Sequence, residues 1–380
     1  MAQQDRYYRP ELDALRLLAF AFVFFFHVHD LLGSTALPHM LDQFATIGAF
    51  GVPVFFLLSA FLITELLERE RARFGTIRVR DFYVRRALRI WPLYFSAFYG
   101  LAVLEHFVPH TGPHGIGCFA AFTAFLGNAW ICHYGWIASS VDPLWSISVE
   151  EQFYLVIPML LLLAGRRVVQ WVCLGLLFTS YVVLANYAAH PVAEDNGQWT
   201  NSFVQFQFFA AGTLLSLRLR GRLLQWRAAA RAAAAVLGVA LWMVALLVFD
   251  VRSWASHASV ARAVAGWGCV LAGTILLFAA AFGMNARRIP GWVAYLGRIT
   301  FGLYVFHSLM LFLVFEVFGA QFRSMLALAR LSGWATLIGA AVAITLTIAT
   351  AHLSFQYFER PFLRLKQRFA HIRSRDEITV

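Results

Sequence analysis

Arg16 and His27 lie eleven residues apart on one apolar run, Leu12 to Leu32. Eleven residues make nearly three helical turns, so both side chains share a face, about 16 Å apart along the axis. Ionisable groups inside a membrane helix are costly, face a protein interior as a rule, and point to function. An imidazole that titrates near neutrality can take a proton from a hydroxyl or hand one on. Asp30, one turn further, is placed to orient His27; a packed, satisfied histidine is the rival reading. His27 and His29 are two apart, do not converge on a helix, and make a poor metal pair.

Two further groups of residues could do chemistry. Eight arginines fall between positions 69 and 90, more than membrane orientation requires. Arg85, Arg86 and Arg89 are three or four apart and can converge on one ligand. Guanidinium groups suit bidentate phosphate contacts, although a topology signal or an anionic lipid contact also fits this loop. The stretch from Pro143 to Tyr154 places Trp145, Ser146, Glu150, Glu151 and Tyr154 at the start of an apolar helix. Glu150 and Glu151 point about 100° apart, so at most one faces a site. The alternative is a pair of acids answering the helix dipole. Ser59, among aromatics in Phe55 to Leu62, reads by itself as a helix-packing residue rather than a nucleophile. Tyr304 and His307, one turn apart, line one cavity or bond between helices.

Helices must position these groups. Of 380 residues 60% are hydrophobic and 13% charged, and mean hydropathy is +0.67. A soluble domain cannot hide that much apolar surface, so a polytopic membrane protein is expected. Ten apolar runs are long enough to cross: 12–33, 47–67, 91–108, 145–164, 168–188, 201–217, 232–249, 262–282, 299–318 and 333–357. The net charge of +11 is almost wholly arginine, Lys366 being the only lysine. Nucleic acid is one reading of that charge; topology explains it better. With a cytoplasmic N-terminus, most of the 31 Lys and Arg residues fall on the inner side. An eleventh run, 118–131, is short and holds Gly127 and Asn128. If it crossed, every later loop would change sides, so it is expected to be re-entrant or interfacial.

The expectation is an all-α membrane protein of about ten transmembrane helices with both termini cytoplasmic. Residues 1–365 form one transmembrane domain and 366–380 a basic cytoplasmic tail. Glu11, Asp13 and Arg16 enter the first run and argue against a cleavable signal peptide. The four cysteines show no CxxC spacing, and no metal site is expected. Cys118 and Cys132, both on the outer side, either pair or remain two thiols.

Together these segments resemble the acyltransferase-3 family of integral membrane acyltransferases, nearly end to end, from Arg9-Pro10-Glu11 to Glu359-Arg360-Pro361. Its basic residue, ten residues, then histidine fall on Arg16 and His27. Its Phe-Phe-x-x-Ser-Gly-Phe-Leu stretch is matched by Phe55 to Leu62, with Ala60 in place of glycine, which touches only close helix packing. Arg86, Arg89 and Pro92 match its Arg-x-x-Arg element, and Trp145, Ser146, Glu150, Phe153 and Tyr154 match its Trp-Ser-x-x-x-Glu-x-x-Phe-Tyr element.

The resemblance implies transfer of an acyl group, commonly acetyl from acetyl-CoA, to a hydroxyl, usually on a sugar, at a bacterial inner membrane. Arg85, Arg86 and Arg89 would then hold the CoA phosphates. Arg16 would position the donor. His27 would act as base or acyl carrier, with Glu150 orienting it or binding the acceptor. Ser59, Trp145, Ser146, Tyr154, Tyr304 and His307 would line the substrate path. Many members carry an added soluble esterase-like domain. None follows the tenth run here, which points away from the peptidoglycan branch. The rival class is a proton-coupled transporter or flippase, which the same buried His, Arg and Glu would serve.

Overall fold

A computed structural model describes residues 8–32, 39–191, 196–252, 259–329, 331 and 334–372. Among these residues the regular elements are helices and no strand occurs. The chain runs through α1 (Pro10–Leu32), α2 (His39–Thr46), α3 (Gly51–Phe74) and α4 (Val79–Leu104). Two short helices follow, α5 (Gly115–Thr123) and α6 (Gly127–Tyr134), then α7 (Trp145–Leu163) and α8 (Arg166–Ala189). A single turn, α9 (Gly197–Thr200), leads to α10 (Ser202–Leu219), α11 (Ala228–Leu247) and α12 (Val260–Ala281). The last part holds α13 (Gly291–Arg298), α14 (Thr300–Phe312), α15 (Gly319–Leu328), α16 (Ala335–Leu353) and α17 (Arg360–Gln367).

Nine of these stretches are long and apolar enough to cross a membrane. They correspond to nine of the ten expected spans. The other, 201–217, is the 18-residue α10. Gln205 and Gln207 dilute its apolar character, yet both are buried, because α10 packs against α3 and α8. Protein rather than lipid surrounds those amides. Gln207 donates to the Val204 carbonyl (3.0 Å) and Gln205 to the Trp199 carbonyl. The run 118–131, expected not to cross, folds as α5 and α6, of 9 and 8 residues. Both are far shorter than the roughly 20 residues a membrane span needs. Their cysteines are free: Cys118 is buried and Cys132 half-buried.

Helix α1 carries both Arg16 and His27. Pro10 opens it and Glu11 and Asp13 lie in its first turn, where a missing amide and negative charge are both favourable. Leu12, Leu15, Ala19 and Val23 recur at helical spacing and are buried. They pack this helix against α3, α13 and α14. Gly297 ends α13 so close to α1 that a Cβ there would lie 2.0 Å from the Asp13 carbonyl oxygen. That approach sets Arg298 beside Arg16. The alanine at position 60 keeps close packing: its Cβ faces Gly212 of α10, where a second Cβ would lie 3.0 Å away. The space that a glycine would leave on α3 is supplied by the partner helix.

At the far end, a π-helical segment, Ser354–Glu359, joins α16 to α17, and α17 folds back on α4. The boundary expected at residue 365 therefore falls inside a packed helix. Of the expected tail, residues 373–380 lie outside the described residues.

Candidate active site

Three cavities line up along α1. The inner one, of about 150 Å³, is bordered by Arg9, Asp13, Arg16, Arg86, Arg89 and Arg298, with Lys366 reaching in from α17. The middle one, of about 110 Å³, shares Arg16, Ser59, Arg86, Arg89 and Arg298 with the first and adds Glu150, Tyr154 and Tyr304. The outer one, of about 380 Å³, shares Val52 and Tyr304 with the second and is bordered by His27, Asp30 and Trp145. Shared walls set them end to end as a row of adjoining cavities. From Arg16 to His27 that row follows eleven residues of α1, about 16 Å at the usual rise per residue.

At the inner end, Arg16 is paired with Asp13 one turn back (2.9 Å). Arg86 stands over the Tyr154 ring, 5.6 Å from its centroid. Two nitrogens of Arg298, Nε and Nη1, are buried with no hydrogen-bond partner among the described residues. Buried donors without partners are uncommon in folded proteins, and a guanidinium in that state suits a bound anion. Arg85, expected beside Arg86 and Arg89, turns elsewhere. It pairs with Glu70 of α3 (3.1 Å) and donates to the Phe369 carbonyl (2.6 Å). It borders none of the three cavities. The reason is the buried Glu70 carboxylate, which demands a counter-charge.

In the middle cavity both oxygens of Glu150 are engaged. Ser59 donates to one (2.9 Å) and Tyr154 to the other (2.7 Å). Glu151 turns away and accepts from the Trp91 indole (2.9 Å), so one acid of the pair faces the site. Glu150 has no bond to His27. Their helices place them in different cavities, and the orienting group for His27 is instead the Val23 carbonyl, 2.8 Å from Nδ1. A carbonyl only accepts, so Nδ1 carries the hydrogen and Nε2 keeps its lone pair. Asp30 borders the same cavity as His27; His29 is held by Asp42 of α2.

Across α14, the ring of His307 stands edge-on to that of His27, with centroids 4.8 Å apart. Its Nδ1 is 2.6 Å from the Tyr304 carbonyl and its buried Nε2 has no partner among the described residues. Tyr304 donates to the Pro143 carbonyl (3.0 Å) and lies 2.8 Å from the Ser146 hydroxyl. Thus Ser59, Ser146, Tyr154 and Tyr304, from three helices, border the middle cavity and Trp145 the outer one, while His307 borders none of the three and meets them through Tyr304 and His27. Sequence reasoning missed Arg9, Arg298 and Lys366 at the inner end. The signal was one basic residue just before an apolar run, which also serves orientation. Among the described residues no group of His, Cys, Asp and Glu forms a metal site.

A family model described as an acyltransferase domain, the third family of that name, matches residues 9–352. The chain belongs to this acyltransferase family. The acyltransferase is similar to the peptidoglycan O-acetyltransferase OatA of Listeria monocytogenes, with 28% identity over 166 residues, 42% of this chain and 25% of that protein. A Bacillus subtilis protein provisionally named a peptidoglycan O-acetyltransferase is 30% identical over 169 residues, 42% of this chain and 24% of its own. A Staphylococcus aureus protein provisionally named an O-acetyltransferase is 28% identical over 169 residues, 40% of this chain and 25% of its own. The matched stretch spans about a quarter of those relatives. The expectation that pointed away from the peptidoglycan branch gains no support from them. No solved structure matches the acyltransferase.

Proposed function

We propose that this multi-pass membrane protein is an O-acyltransferase of a bacterial inner membrane. It moves an acyl group, acetyl by its relatives' names, from cytoplasmic acyl-CoA to a carbohydrate hydroxyl. The observation that carries this reading is the row of adjoining cavities with arginines at one end and a tautomer-fixed histidine at the other.

The inner residues fit a phosphorylated donor. Arg86, Arg89, Arg298 and Lys366 gather there, Asp13 is the one acid among the described residues that border the cavity, and Arg298 offers donors without a partner among them. They would hold the phosphates, while the thioester-bearing arm follows the middle cavity past Arg16 and Ser59. His27 Nε2 takes the proton of the acceptor hydroxyl as its oxygen attacks the thioester carbonyl. The C–S bond breaks, and His27 returns the proton to the leaving sulfur, giving the O-acyl ester and free CoA thiol. His307, whose Nε2 has no other donor, steadies the imidazolium during the step. The Glu150–Ser59–Tyr154 group keeps the middle of the path polar and ordered.

The test is purified protein with labelled acetyl-CoA and candidate glycans, reading thiol release and label on the glycan. Release that depends on acceptor and on His27 supports the reading. A carrier of the same architecture would release no thiol, and that result would reject it.

A further inference from the structure

The two ends of the path differ in charge. The inner cavity gathers arginines and a lysine; the outer one, at more than twice the volume, has neither among the described residues that border it. Its charged or titratable walls are Asp30, Asp142, His27 and His110. Asp142 is already engaged: its carboxylate accepts from the amides of Ile137 (3.0 Å) and Ser139 (3.3 Å). Those bonds hold Ala138 at a φ of 57°, and His110 at 67° lies beside it through a Ser140 N–H to His110 carbonyl bond (3.2 Å). Non-glycine residues persist in that region only where surrounding structure fixes them, and such positions cluster at functional sites. Asp30, by contrast, is exposed on the cavity wall, and among the described residues no donor reaches its carboxylate. Trp136, Trp145 and Trp199 supply aromatic wall.

We infer that this outer cavity binds an uncharged or amino sugar and rejects an acidic one, with Trp136 as a stacking face and Asp30 as the selecting group. Tryptophan faces take the apolar side of a sugar ring, and a carboxylate accepts from its hydroxyls or pairs with an ammonium. A uronate or phosphate here would meet Asp30 with no counter-charge, and like charges brought together are costly. The same logic places any phosphate of a lipid-linked acceptor outside this cavity. The inference rests on the outer cavity being the acceptor side.

Binding can be read without transfer. In detergent, the full-length protein is titrated with three sugars of equal length: chitotriose, its deacetylated cationic form, and trigalacturonate. Tryptophan fluorescence is followed, with acetyl-CoA-dependent thiol release measured separately. The neutral and cationic trimers are expected to perturb the fluorescence saturably, and the acidic one is not. Trp136→Phe should remove most of the signal. Asp30→Asn should weaken the cationic trimer about fivefold, the size of a partly exposed ion pair, and leave the neutral one nearly unchanged. Equal binding of trigalacturonate, no response to any of the three, or an unchanged preference in Asp30→Asn would overturn the inference. The expected binding order without thiol release would instead reject acyl transfer and leave the sugar selectivity standing.

Discussion

At the scale of single residues, the proposed chemistry falls to His27 because its tautomer is fixed. The Val23 carbonyl holds the Nδ1 hydrogen, and the ring of His307 flanks the basic face. Replacing His27 with alanine should lower transfer about a thousandfold, within the usual range for a positioned acid–base group, with no change in melting temperature. A base-labile acyl adduct on His27 would convert the base into a carrier. The arginines separate into two kinds. Arg298→Ala removes donors that nothing among the described residues satisfies, so KM for acetyl-CoA should rise about tenfold or more, the worth of a charged hydrogen bond. Arg85→Ala should do the reverse. It leaves the Glu70 carboxylate, only 3% exposed, without its counter-charge, costing about 2 kcal/mol of stability while KM stays near wild type. A raised KM in Arg85→Ala, with stability intact, would return that residue to the donor site.

At the scale of helices, the path depends on how closely α13 approaches α1. Gly297→Ala puts a methyl against backbone that cannot move aside, since the Asp13 carbonyl belongs to a helix. Overpacking of this kind costs about 1–3 kcal/mol, and it pushes Arg298 away from Arg16. Both a lower melting temperature and a weaker grip on acetyl-CoA are expected; loss of stability alone would separate α13 from donor binding. The same helix pair marks the limit of what sequence can say. Arg16, His27 and Glu150 stand out in sequence because each is an expensive polar group on an apolar run. Nothing local, however, tells that Arg89 faces the path while Arg85, four residues earlier, is drawn to Glu70. Nor does spacing reveal that His307 meets His27 rather than a substrate, or that α17 brings Lys366 back to the inner end. Those facts belong to contacts between helices far apart in the chain. The span at α10 was legible only by its length and position, because its buried glutamines lower the signal that marks a helix surrounded by lipid.

At the scale of the whole molecule, the proposal requires that the arginine end face the cytoplasm, where acyl-CoA is made available, and His27 face the other side. The charge distribution supports that orientation, since 16 of the 30 arginines fall in 69–89, 218–231 and 287–298, at the α3–α4, α10–α11 and α12–α13 connections and their flanking helix ends. Cysteine chemistry can test it. The α5 cysteine is buried, and burial raises the Cys118 thiol to about 11. Its reactive thiolate is therefore scarce at neutral pH, and it should resist maleimide. In a variant lacking the other three cysteines, a thiol at Ile116, 84% exposed at the start of α5, should react with a membrane-impermeant maleimide on intact spheroplasts. A thiol at Trp226, 41% exposed before α11, should react only after the membrane is opened. The reverse pattern would place the arginines outside, away from any cytoplasmic donor. It would sink the CoA reading however well the cavities fit it. Labelling at both sites before permeabilisation would mean that an even number of spans separates them, as it would if the short α5–α6 pair crossed after all.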